Sequence, residues 1–153
     1  MNGSSLPANI ALVALTTEGA ALARRLASHL PGAKMHGLTG RVAEADVAFN
    51  DVDRHLTSLF TAGTAIVGIC ASGILIRTLA PYLTDKRGEP PVVAIAADGS
   101  VAVPLLGGHY GANALAHHIA AILGGTASIT TASDLATGNA LDDPPTDWTI
   151  ANP

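Results

Sequence analysis

The chain has 153 residues, 48% hydrophobic and 3% aromatic, with a formal net charge of −4 and one cysteine. That length suits one domain with an aliphatic core, and the scarcity of aromatic rings and basic runs argues against a nucleic-acid partner. A lone thiol, Cys70, excludes an internal disulfide and fits a reducing compartment.

The start, MNGSSLPANI, lacks a positive flank before an apolar segment, so no signal peptide is expected and the cytoplasm is the expected location. IALVAL (residues 10–15) is a continuous apolar run, the pattern of a strand buried on both faces. Thr16 and Thr17 offer helix caps with Glu18 in the first turn, and Leu22, Leu26 and Leu30 recur at helical spacing until Pro31-Gly32. AKMHGL reads as a weaker strand. Residues 41–50 favour no element, and DVDRHLTSLFTAG reads as a helix capped by Asn50 or Asp51 and stopped at Gly63.

AIVGIC is a second buried strand, and ILIRTLAPYL continues as a helix that Pro81 shortens or kinks. This apolar window holds Arg77 and Pro81, so it is too interrupted to span a membrane. In PPVVAIAADGSVAVPLL, two β-rich runs flank Asp98-Gly99, which predicts a hairpin toward one edge of the sheet. ANALAHHIAAIL is a helix ended by Gly124-Gly125, and ASITTASD reads as a last short strand. Alternating strands and helices imply a three-layer α/β fold, with a mainly parallel sheet, helices on both faces and one β-hairpin. The domain is expected over residues 1–136. From residue 137 the chain loses periodicity and reads as a linker or extended arm to residue 153.

Two strand-to-helix junctions invite a ligand, because open α/β sheets bind ligands where loops enter helix N-termini. One is GICASGILIR, around Ser72 and Gly73. The other is LLGGHYGAN, where Gly107, Gly108 and Gly111 surround His109 and Tyr110. Neither is a nucleotide fingerprint. Glycines make a tight turn in either case, but an imidazole among them has little packing to justify it. Arg77, in so apolar a helix, either snorkels to water or joins Lys86 and Arg87 in a cationic patch for carboxylates. Asn113 is a candidate helix cap. His117 and His118 point in different directions, and His29, His36 and His55 fit no ligand spacing, so no metal site is expected. Cys70 reads as an inert thiol rather than a nucleophile.

At these residues the chain resembles a known family. The stretch GILIRTLAPYLTDKRGEPPVVAIAADGSVAVPLLGGHYGANALAHHIA is similar to the N-terminal domain of the CbiG family, the cobalt-precorrin-5A hydrolases of cobalamin biosynthesis. Arginine, Ala-Pro, Asp-Lys and Gly-His-x-Gly-Ala-Asn occur in the family's order and spacing, over residues 73 to about 134. Many members carry serine where Gly107 stands, an extra glycine before Ala-Asn, and an acidic residue at the position of Ala114. Such departures resemble forms found in proteobacteria that are sometimes fused to a precorrin methyltransferase.

The resemblance implies hydrolysis of a lactone on a cobalt tetrapyrrole with loss of acetaldehyde, the cobalt belonging to the substrate and no cofactor being needed. It implies His109 as the catalytic group; its side chain is expected to be exposed to a cleft, at the start of the Gly111 helix and near the ASG loop. Ser72, Gly73, Arg77, Lys86, Arg87, Gly107, Gly108, Tyr110, Gly111 and Asn113 would face substrate carboxylates, the glycines letting the ring approach the backbone. It further implies that this chain is the N-terminal part of a longer enzyme, with the remaining domains or other corrin-pathway enzymes as partners; a homodimer is open. A non-catalytic tetrapyrrole-binding or docking module, or a binder of another small anion such as a nucleotide, are the alternatives.

Overall fold

A computed structural model describes residues 5–132. The expected arm, residues 137–153, lies outside the described residues. The chain order is β1 (Ile10–Ala14), α1 (Thr17–Ala27), β2 (Ala33–Leu38), β3 (Val47–Phe49), α2 (Val52–Thr61), β4 (Ala65–Ile69) and α3 (Ser72–Leu79). It continues with β5 (Val92–Ile95), β6 (Val101–Leu106), α4 (Ala112–Leu123) and β7 (Thr126–Ala127). Short 3-10 turns at Ala80–Tyr82 and Gly108–Tyr110 follow α3 and precede α4.

One sheet runs β3-β2-β1-β4-β5-β6-β7. The first five strands are parallel, β6 turns back antiparallel to β5, and β7 lies parallel to β6. IALVAL and AIVGIC are indeed adjacent interior strands, with Leu12 opposite Val67, and every residue of β1 and β4 is buried.

Alternation along β1 divides the core in two. Ile10, Leu12 and Ala14 face one layer with Ala20, Ala23 and Leu26 of α1 and Leu115, Ala116 and Ile119 of α4. Ala11 and Val13 face the other, with Leu56 and Phe60 of α2 and Leu75 and Leu79 of α3. Alanines replace the missing aromatics, so helices and sheet approach closely. Gly19 extends this: a Cβ there would stand 3.3 Å from Ile69 Cγ2.

Local chemistry sets the element ends. Thr16 Oγ1 accepts from Gly19 N–H at 3.1 Å, and Asp51 Oδ1 from Arg54 N–H at 3.0 Å, each capping its helix. Pro81 leaves α3 as a 3-10 turn. Gly99, at φ +76°, makes the hairpin turn, with Asp98 Oδ1 accepting from Ser100 N–H. The ambiguous segment holds the three residues of β3.

The last strand differs from expectation. It is only Thr126–Ala127, and its final rung is Ser128 N–H to Ala102 C=O at 2.9 Å. The next rung on that side of β6 falls to Pro104, which has no N–H to donate, so the ladder stops.

Candidate functional site

The two junctions lie at opposite ends of the sheet. The ASG loop leaves β4 at the carboxyl end of the parallel strands. Because β6 is antiparallel, Leu106 pairs with Val92 at the amino end, and the Gly107 turn follows there. Four steps of β4 separate the two ends, about 13 Å. His109 is therefore not near the ASG loop, contrary to expectation; reversal of one strand carries it away.

At the carboxyl end, α3 starts with no side-chain cap. Gly73 lies in its first turn, and a Cβ there would fall 2.8 Å from Arg77 Nη1. The exposed Arg77 side chain thus folds back along the helix over Gly73, bringing a guanidinium to the positive end of the helix dipole. Ser72 is exposed beside it. Two positive ends so placed favour an anion between or above them.

At the amino end, Gly107 adopts φ +68° and Gly111 φ +115°, left-handed values that glycine tolerates. Gly107 C=O accepts from both Tyr110 and Ala112 N–H at 3.0 Å, closing the turn. A Cβ on Gly107 would meet Pro91 Cα at 3.1 Å, and one on Gly108 would meet Asn113 Oδ1 at 3.2 Å. A Cβ on Gly111 would reach Pro7 Cδ at 3.5 Å. Protein itself fills the side of each glycine where a side chain would stand, so the glycines shape and pack the turn. His109 is half-buried and Tyr110 is 40% exposed, and these two side chains are what the turn presents.

Asn113 does not cap α4. Its Nδ2 donates to Thr131 Oγ1 at 2.9 Å, and Gly111, the residue at the cap, has no side chain to accept a bond. Asn113 instead ties the end of the described chain to the His109 turn. Lys86 and Arg87 lie in the exposed connection from α3 to β5, the Arg87 N–H bonding Asp85 Oδ1 at 3.0 Å. That connection ends at Pro90-Pro91, against Gly107, so Lys86 and Arg87 share the amino end with His109 while the Arg77 guanidinium reaches toward the other end.

Cys70 is half-buried, and burial pushes its thiol up to about 11, which disfavours the thiolate a nucleophile needs. His117 and His118 are both exposed. Sequence spacing hid one pairing: His36 Nδ1 and His55 Nε2 lie 2.8 Å apart, one donating to the other, with Phe49 stacked on His55 at 4.2 Å. Burial, then the His55 charge and, more weakly, Lys34 push His36 down to about 4, against a raising effect of Asp46. Burial also lowers His55. These residues are 19 apart on a strand and a helix, and only the βαβ crossover brings them together. Among the described residues, no group of three or more histidines, cysteines or carboxylates is placed to hold a metal.

The fold and these loops define a class: a doubly wound α/β domain whose conspicuous polar side chains stand at strand-to-helix turns. The family model described as cobalamin synthesis G N-terminal matches residues 54–134, across both turns. The chain belongs to that family.

It is 41% identical over 146 residues to the cobalt-precorrin-5A hydrolase of Salmonella typhimurium, covering 89% of this chain and 39% of that protein. It is 33% identical over 132 residues to the cobalt-precorrin-5A hydrolase of Priestia megaterium, covering 82% of this chain and 35% of that one. The solved structure of a cobalamin biosynthesis protein G homologue from Sulfolobus solfataricus shares the fold, with a TM-score of 0.61 at 23% identity over 83% of this chain and 38% of its own. The chain thus spans about two fifths of the length of the relatives it matches.

Proposed function

We propose that this chain is the N-terminal part of a cytoplasmic enzyme of cobalamin biosynthesis, which opens the lactone of cobalt-precorrin-5A with loss of acetaldehyde. The observation that carries the reading is the 41% identity to a protein of that name over 89% of the chain. The ligand is a tetrapyrrole rich in acetate and propionate carboxylates, its cobalt is substrate, and no further cofactor is invoked. The remaining part of such an enzyme is the expected partner.

The geometry supports the following roles. Arg77 over the uncapped start of α3, with Ser72 beside it, takes a carboxylate at one end of the domain. Lys86 and Arg87 take others toward the amino end. A macrocycle with extended carboxylate arms is wide enough to meet both. His109 is the general base: it accepts a proton from the water whose oxygen bonds to the lactone carbonyl carbon, then returns it to the departing ring oxygen. The hydroxyl so freed loses its proton as the bond from its carbon to the macrocycle breaks, giving the aldehyde carbonyl, and the macrocycle carbon keeps the electron pair and takes up a proton. Tyr110, exposed beside it, offers a hydroxyl to the same group.

Because the chain spans only two fifths of its relatives, binding is the property to test first. Absorbance titration with cobyrinic acid, a cobalt corrin bearing free carboxyl groups, is expected to show saturable binding that weakens as salt rises. An unchanged corrin spectrum, with binding of a nucleotide instead, would reject the tetrapyrrole reading in favour of another small anion.

A further inference from the structure

Among the described residues, the face of the sheet that carries α2 and α3 is incompletely covered. On that face α3 packs against β5, whereas α4 is the helix that packs on β6, and it does so from the opposite side. Val103 pairs with Ala94, whose side chain belongs to the α2–α3 core, so Val103 points to the same face, and alternation places Val101 there too. Leu105 sits at the margin of that core. All three are half-buried, while β5 beside them is wholly buried. On α3, Thr78 faces α2 through its bond to Asp53, so Ile76, about half a turn round the helix, faces away from α2, on the side of the β6 edge; Ile76 is 55% exposed, and in the turn that follows Tyr82 is 43% and Leu83 42% exposed.

Arg77 follows Ile76 in sequence, and the connection after Leu83 carries Lys86 and Arg87 together with Asp85 and Glu89, so the segments that bear the apolar side chains also bear cations. A flat molecule with an apolar face and carboxylates around its rim matches both features. We propose that this shelf, floored by Val101, Val103 and Leu105 and walled by Ile76, Tyr82 and Leu83, receives the face of the tetrapyrrole ring. The assignment rests on the tetrapyrrole reading above and adds the surface on which the ring lies. Burial of the macrocycle's hydrocarbon edge against Ile76 and Leu83, with the Tyr82 ring alongside, supplies affinity that salt does not screen. β6 leads directly from the shelf floor into Gly107, so a ring seated here has its lower edge directed at His109.

The test is absorbance titration of the intact chain with cobyrinic acid and with its methyl ester, at low and high salt. The Ile76→Ser/Leu83→Ser variant changes exposed positions only, and circular dichroism checks its fold. It is expected to weaken binding roughly ten-fold for both probes at either salt concentration. Arg77→Gln is expected to weaken cobyrinic acid binding at low salt and to leave the ester unaffected. Parental affinity in the double variant, with Arg77→Gln still weakened, would overturn the shelf while the tetrapyrrole reading stands. Failure of the unmodified chain to bind either probe would overturn both. A double variant of unchanged affinity that converts a dimer to a monomer in sedimentation would also overturn the shelf, identifying an interface between copies.

Discussion

Gly107 and His36 show how much single positions contribute here. Gly107 combines a left-handed backbone with a close approach to Pro91, so Gly107→Ala adds strain of about 1–2 kcal/mol and pushes on backbone atoms. The expected result is a lower urea midpoint and a displaced His109; unchanged stability would mean the turn relaxes freely. His36 acts through pH. Its folded value of about 4 lies below the ordinary 6.5, so the unfolded chain takes up the proton first. Stability is complete above pH 6.5, declines as pH falls toward 4, and levels off below, by at most about 3 kcal/mol. Urea denaturation at pH 7.5 and 4.5 should show this loss, and His36→Leu should lessen it. Equal losses in both proteins would place the acid sensitivity elsewhere.

The elements themselves were largely legible. Unbroken aliphatic runs marked β1 and β4, Thr16 or Thr17 and Asn50 or Asp51 marked helix starts, and Asp98-Gly99 marked the hairpin, because each rests on local chemistry. The end of β7 was not, since it depends on which side of β6 the missing N–H of Pro104 falls. The joining of His36 to His55 was not either, because two residues on separate elements meet only through the crossover. Between β4 and α3 the packing is tight: a Cβ on Gly68 would lie 2.8 Å from Leu75 Cδ1. Gly68→Ala is therefore expected to cost about 1–3 kcal/mol through overpacking, read as a fall in thermal midpoint. A stabilised variant would show that α3 can move outward without loss.

On the scale of the molecule, the antiparallel β6 decides where His109 lies. The residues at Arg77 and at His109 were both visible in the sequence as candidates, but their separation depended on strand direction, which a hairpin reverses. One sheet thus offers a cation at its carboxyl end and an imidazole at its amino end. The family match spans both, and a broad polycarboxylate ring is a ligand that can use both. The most direct measurement is acetaldehyde release from cobalt-precorrin-5A by a chimera in which this chain replaces the matching N-terminal region of the Salmonella relative. We expect the chimera to release acetaldehyde, and its His109→Ala form to do so roughly 10²–10⁴-fold more slowly while still binding the corrin. A chimera that binds the corrin but releases no acetaldehyde, or a His109→Ala form that works at the parental rate, would contradict the account.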